Sequence, residues 1–85
     1  MIETLTIENP HHCNMGAVSE ILEGVGCWRP TGKLGAWNRG HDPKQSGDGV
    51  VNEILAQLAS IRAGGVHFVV EVNGHTFRGG SPHQA

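Results

Sequence analysis

Asn73-Gly74 sits between two β-prone runs, Val66 to Val72 and His75 to Arg78. A two-residue type I′ turn needs positive φ at both central positions, and Asn-Gly meets that need best. The pair therefore predicts a β-hairpin. In its register Val66, Phe68, Val70 and Val72 share a face with His75 and Phe77, and that apolar side requires a cover.

The cover is legible just upstream. Val51, Ile54, Leu55, Leu58 and Ile61 recur at helical spacing, with Asn52, Glu53, Gln57 and Arg62 on the opposite side. Asp48 is placed to cap this helix and Gly64-Gly65 to close it. A second helix is expected after Asn14, with Val18, Ile21, Leu22 and Val25 as its stripe and Gly24 or Gly26 as a left-handed stop. Before it, Ile2 to Ile7 reads as a strand with Leu5 and Ile7 on one face and Ile2, Thr4 and Thr6 on the other. Pro10 ends that strand, because proline has no N–H to donate.

The predicted architecture is an α+β domain of order β-α-loop-α-β-β, a short, mainly antiparallel sheet with two helices on one face. Residues 1–78 form this single domain, 26–47 are its long loop, and 79–85 are a frayed tail. A chain of 85 residues buries only about 60–65% of its unfolded surface, so association with another subunit is expected to help it.

Composition excludes several classes. A net charge of −2 is too small for a general nucleic-acid or membrane-surface binder, which needs a dominant basic field. The start has neither a basic n-region nor an apolar h-region, and no stretch reaches the length of a membrane span, so a cytoplasmic location is expected. Cys13 and Cys27 flank the first helix, about 20 Å apart at 1.5 Å rise per residue, too far for a disulfide.

The segment from Gly26 to Gly47 lacks an apolar period and is long for a connection in a compact domain. It carries both tryptophans, Trp28 and Trp37, and four of the six basic residues, Arg29, Lys33, Arg39 and Lys44, against the single acid Asp42. The first 27 residues carry four glutamates and no base. Basic groups interleaved with aromatic faces form protein interfaces or hold phosphates and bases. Trp28, Arg29, Lys33, Trp37, Arg39, His41 and Lys44 are accordingly the candidate binding residues. The alternative is that both indoles fold back into the core. If the loop is a contact surface, Trp37→Ala with Arg39→Ala abolishes binding and leaves melting nearly unchanged.

Other chemistry is weaker. His11, His12 and Cys13, with Cys27, His41 and His67 or His75, offer zinc donors but no Cys-x2-Cys or His-x3-His spacing. Ser46-Gly-Asp-Gly49 invites an anion at a helix start, where Asp48 would repel it. No nucleophile with its base and orienting acid is visible, and no cofactor fingerprint is present.

The leading expectation is a small non-enzymatic interaction protein of the bacterial or phage kind, acting by stoichiometric binding to a macromolecular partner, a protein ahead of a nucleic acid, and self-associating. The alternatives are a sensor or sequestering protein for a phosphorylated or nucleotide-like ligand, and a small zinc protein.

Overall fold

The structure is a computed structural model and describes residues 1–60 and 65–80. Strands β1 (Ile2–Ile7), β2 (Arg29–Pro30), β3 (Ala36–Gly40), β4 (His67–Val72) and β5 (His75–Gly80) form one sheet of order β2-β3-β1-β4-β5. Every pairing is antiparallel. Helices α1 (Met15–Gly24) and α2 (Gly47–Ser60) complete the α+β domain expected from the sequence.

The alternation of β1 works as predicted, with Leu5 and Ile7 buried on one face and Ile2 and Thr6 exposed on the other. Leu5 lies opposite Val70 on one side and Trp37 on the other. Val18 and Leu22 of α1 and Val50, Val51, Ile54 and Leu58 of α2 close over this face, and all join one core with Phe68, Val70 and Val72. Ile61, Arg62 and Gly64 lie outside the described residues.

The hairpin has the expected turn, with φ of 56° at Asn73 and 82° at Gly74. Its register pairs Val72 with His75 and Val70 with Phe77. Strand β5 runs on through Gly79 and Gly80, which pair with Phe68 and His67, so those two glycines belong to the sheet and not to a tail. The rest of the predicted tail, 81–85, lies outside the described residues.

Two local expectations are corrected. The Asn14 side chain accepts from Ala17 N as an N-cap should, but neither Gly24 nor Gly26 turns left-handed after α1. Val25 stays in the right-handed region, and the left-handed residue is Cys27, with φ of 61°. Helix α2 begins earlier than expected: Ser46 Oγ accepts from Gly49 N at 3.0 Å, so Ser46 is the cap and Asp48 sits inside the first turn. Asp48 still favours the positive helix end from there.

The largest correction concerns 26–47. The expected loop holds β2 and β3, joined by a turn in which Thr31 N donates to Ala36 O and Ala36 N donates to Lys33 O. Among the described residues the sheet has five strands where three were expected. The apolar period was hidden because β3 points Trp37 and Arg39 at the covered face, and an inward arginine breaks the pattern.

Candidate functional site

The register brings Glu3 of β1 opposite Arg39 of β3, both on the covered face. A carboxylate at such a position is costly to bury unless it is paired and hydrogen-bonded. Glu3 is fully buried, and each of its oxygens has a partner: Arg39 Nε donates to one at 2.6 Å, and His41 Nδ1 lies 2.6 Å from the other. Arg39 also donates to Gly26 O at 2.8 Å and, from Nη2, to Glu53 Oε2 on α2 at 2.8 Å.

The Arg39 guanidinium lies 4.4 Å from the centre of the Trp28 ring, close enough for a cation–π contact. Burial alone would lower the Arg39 pKa, but hydrogen bonds to Glu53 and Glu3 outweigh it and hold the group above its ordinary value. Arg39 is thus a permanent cation tying two strands, a helix and the α1–β2 corner together. Gly26 permits that corner: a Cβ there would lie 2.7 Å from Trp28 Cδ1 and 3.1 Å from Gln57 Oε1. Trp28 Nε1 and Gln57 Oε1 are both buried without a hydrogen-bond partner among the described residues.

Above this cluster is a cleft of about 580 Å³, lined by residues that include Glu3, Arg29, Asn38, Arg39, Asp42 and Glu53. The Arg39 cluster sets two carboxylates, Glu3 and Glu53, against one guanidinium, with the His41 imidazole beside Glu3.

The predicted binding residues do not form one displayed surface. Trp28 is 2% exposed and Trp37 3% exposed, so both indoles belong to the core, as the alternative sequence reading held. Trp37 Nε1 donates to Glu23 Oε2 at 3.2 Å. Arg39 and His41 are tied into the ion cluster, with side chains 13% and 9% exposed. Arg29 is exposed at the cleft, Lys33 is exposed in the β2–β3 turn, and Lys44 is exposed after β3. The cleft therefore gathers Arg29 and Arg39 but leaves Lys33 and Lys44 elsewhere.

Chain comparisons add nothing to this geometry. No protein-family model, characterised protein or solved structure matches the chain.

Sequence reasoning missed Glu3 and Glu53. The signal for Glu3 was present, since the alternation that turns Leu5 and Ile7 inward turns Glu3 inward too. Glu53 was assigned to water, yet it reaches Arg39 and is half-buried, as is Gln57.

The zinc donors are dispersed. His11 and His12 are exposed in a 3-10 turn over Pro10–His12, and the Cys13 thiol points to Met15 Sδ at 3.5 Å. Among the described residues no three His, Cys, Asp or Glu side chains converge as metal ligands. Both cysteines are free.

Proposed function

We propose that this chain is a small non-enzymatic interaction protein that binds a protein partner stoichiometrically, by taking an extended strand alongside the open edge of its sheet. The observation that carries this reading is the contrast between the sheet's two edges. Strand β2 is two residues long and contains Pro30, which blunts it. Strand β5 is six residues long, has no proline, and among the described residues has a neighbouring strand on one side only.

In a two-residue hairpin the residues flanking the turn bond to each other, so His75, Phe77 and Gly79 face β4. Thr76, Arg78 and Gly80 then direct their backbone N–H and C=O groups outward. Such a row is a template for strand addition, in which main-chain hydrogen bonds supply affinity and side-chain contacts supply specificity. The two free thiols suit a reducing, cytoplasmic setting. No helix among the described residues is long and apolar enough to cross a membrane.

Selection of a displayed peptide library on the immobilised protein tests the reading. Extended peptides should be enriched, and Thr76→Pro should weaken them at least tenfold, because it removes an outward donor and leaves the β4–β5 ladder intact. Peptides indifferent to Thr76→Pro but lost with Arg29→Ala would move the function to the cleft.

The cleft favours a second reading, a small-ligand sensor, because about 580 Å³ falls in the roughly 300–1,000 Å³ range of ligand sites. Its charge balance suits a neutral or cationic molecule better than a phosphorylated one, and Arg39 already occupies a face of Trp28 that a base would need. Trp28 fluorescence reports entry of a ligand that displaces Arg39. A flat titration at millimolar concentrations of a nucleotide and polyamine panel removes this reading.

A further inference from the structure

We infer that the strand taken up by β5 is β5 of a second copy, paired antiparallel about a two-fold axis through Phe77. This rests on the strand-addition reading and names its occupant.

The argument is one of register. Only outward-facing residues can exchange hydrogen bonds across the new interface, so Thr76, Arg78 and Gly80 must meet one another. Two symmetric registers satisfy this with the longest overlap. One sets Arg78 directly opposite Arg78 of the second copy, and like charges so placed are destabilising. The other sets Thr76 opposite Arg78, His75 opposite Gly79, and Phe77 opposite Phe77. It contains no like-charge pair.

The side chains favour the same register. Phe77 is half-buried, packs against the core from the sheet edge and lies over Gly47 of α2, leaving part of its ring uncovered. A two-fold axis perpendicular to the sheet keeps the helices of both copies on one side, so the uncovered flank of Phe77 meets its own equivalent. Aromatic pairs across antiparallel strands are among the stabilising cross-strand contacts. Arg78 offers little resistance: its side chain is 73% exposed and reaches Glu8 only at 3.3 Å. Gly79, opposite His75 in this register, adds no bulk. The two sheets then join into one continuous sheet, and each copy loses its open edge. A closed isologous dimer of this kind cannot propagate into a fibre, because β2 is blunted.

The experiment combines light scattering over a dilution series with hydrogen exchange of the native protein and of Thr76→Pro. A dimer is expected, with the amides of Thr76 and Arg78 losing protection on dilution, Gly80 exchanging freely beyond the paired overlap, and Thr76→Pro monomeric with native circular dichroism. Register is read by oxidising Phe77→Cys and Arg78→Cys in a chain whose Cys13 and Cys27 are serine. A non-hydrogen-bonded pair brings Cα atoms to ~4.5 Å, within disulfide reach, so only Phe77→Cys should cross-link efficiently.

A monomer whose Thr76 and Arg78 amides exchange freely overturns self-pairing and leaves the edge open for another strand. A monomer whose Thr76 and Arg78 amides are protected at every dilution means the chain covers its own edge, and both readings fail. A dimer with those amides unprotected uses another surface and overturns this inference alone. Where Thr76→Pro does not fold, exchange and cross-linking of the folded chains decide.

Discussion

The segment from Gly26 to Gly47 and the hairpin from Val66 to Gly80 invert what their compositions advertise. The first holds both tryptophans and most of the cations, the residue types that mark interfaces, and it spends its anchors inside: Trp28 and Trp37 are buried and Arg39 is bonded to Glu3, Glu53 and Gly26 O, while Arg29, Lys33 and Lys44 stay exposed without forming one surface. The second is plain by comparison, yet among the described residues its last strand stands at the end of the sheet order with one neighbour. Residue type alone does not locate a contact surface. Position in the sheet decides whether an anchor residue faces a partner or holds its own domain together, and β3 lies inside the sheet while β5 lies at its rim.

Deleting an aromatic ring from each region tests the contrast most severely. Trp37→Ala should destabilise by about 3–5 kcal/mol, the usual cost of emptying a buried indole site, whereas Phe77→Ala, half-buried, should cost roughly half of that. For a domain of this size each kcal/mol lowers the melting temperature by about 4–8 °C, so a pair of thermal melts separates them. Equal shifts, or an unmoved melt for Trp37→Ala, would return that indole to the surface and break the comparison.

Arg39→Met comes next. It keeps the packing of the side-chain stem but leaves Glu3 buried beside His41 alone, and removing one partner of a buried pair costs about 3–5 kcal/mol. The lower end is expected, because the His41 imidazole still lies within hydrogen-bond distance of Glu3, 2.6 Å from its Oε2. The double variant Glu3→Gln with Arg39→Met should recover part of the loss, since no buried charge is then left unpaired. A double variant less stable than Arg39→Met alone would show that the ion pair is not what holds this end of the sheet.

The elements legible in the sequence are those whose signals are local. Asn73-Gly74 carries its own turn geometry, the α2 stripe repeats with the helical period, and β1 alternates cleanly from Glu3 to Ile7. Strand β3 fails that test because one of its inward positions is Arg39, and an inward arginine makes sense only once Glu3 is known to lie across the register. Strand β2 is too short to show a period at all. The candidate site was half visible for the same reason: Arg29 and Arg39 stand out as charges in a loop-like stretch, whereas Glu3 and Glu53 acquire a role only through contacts between distant parts of the chain.

The smallest expected effects come from the two thiols, and they sharpen the contrast by marking where the inward-turned segment still meets solvent. Cys27 is exposed and held at φ of 61°, a conformation that costs a non-glycine residue about 1–2 kcal/mol. Glycine relieves that cost but adds freedom to the unfolded chain, so Cys27→Gly should gain no more than about 1 kcal/mol. Cys13 differs in kind: it is partly buried, and burial pushes its thiol pKa above the ordinary 9.0. A thiol whose folded pKa is raised contributes fully below its unfolded value, and that contribution is lost as pH rises through the folded value. Stability should therefore begin to fall above about pH 9, less steeply in Cys13→Ser. At pH 8 the thiolate is the reacting form, so iodoacetamide should modify Cys27 well before Cys13, as peptide mapping of a time course would show. Faster labelling at Cys13 would mean that the α1–β2 corner shields Cys27, and the inward turn of the segment would then extend to its first residues.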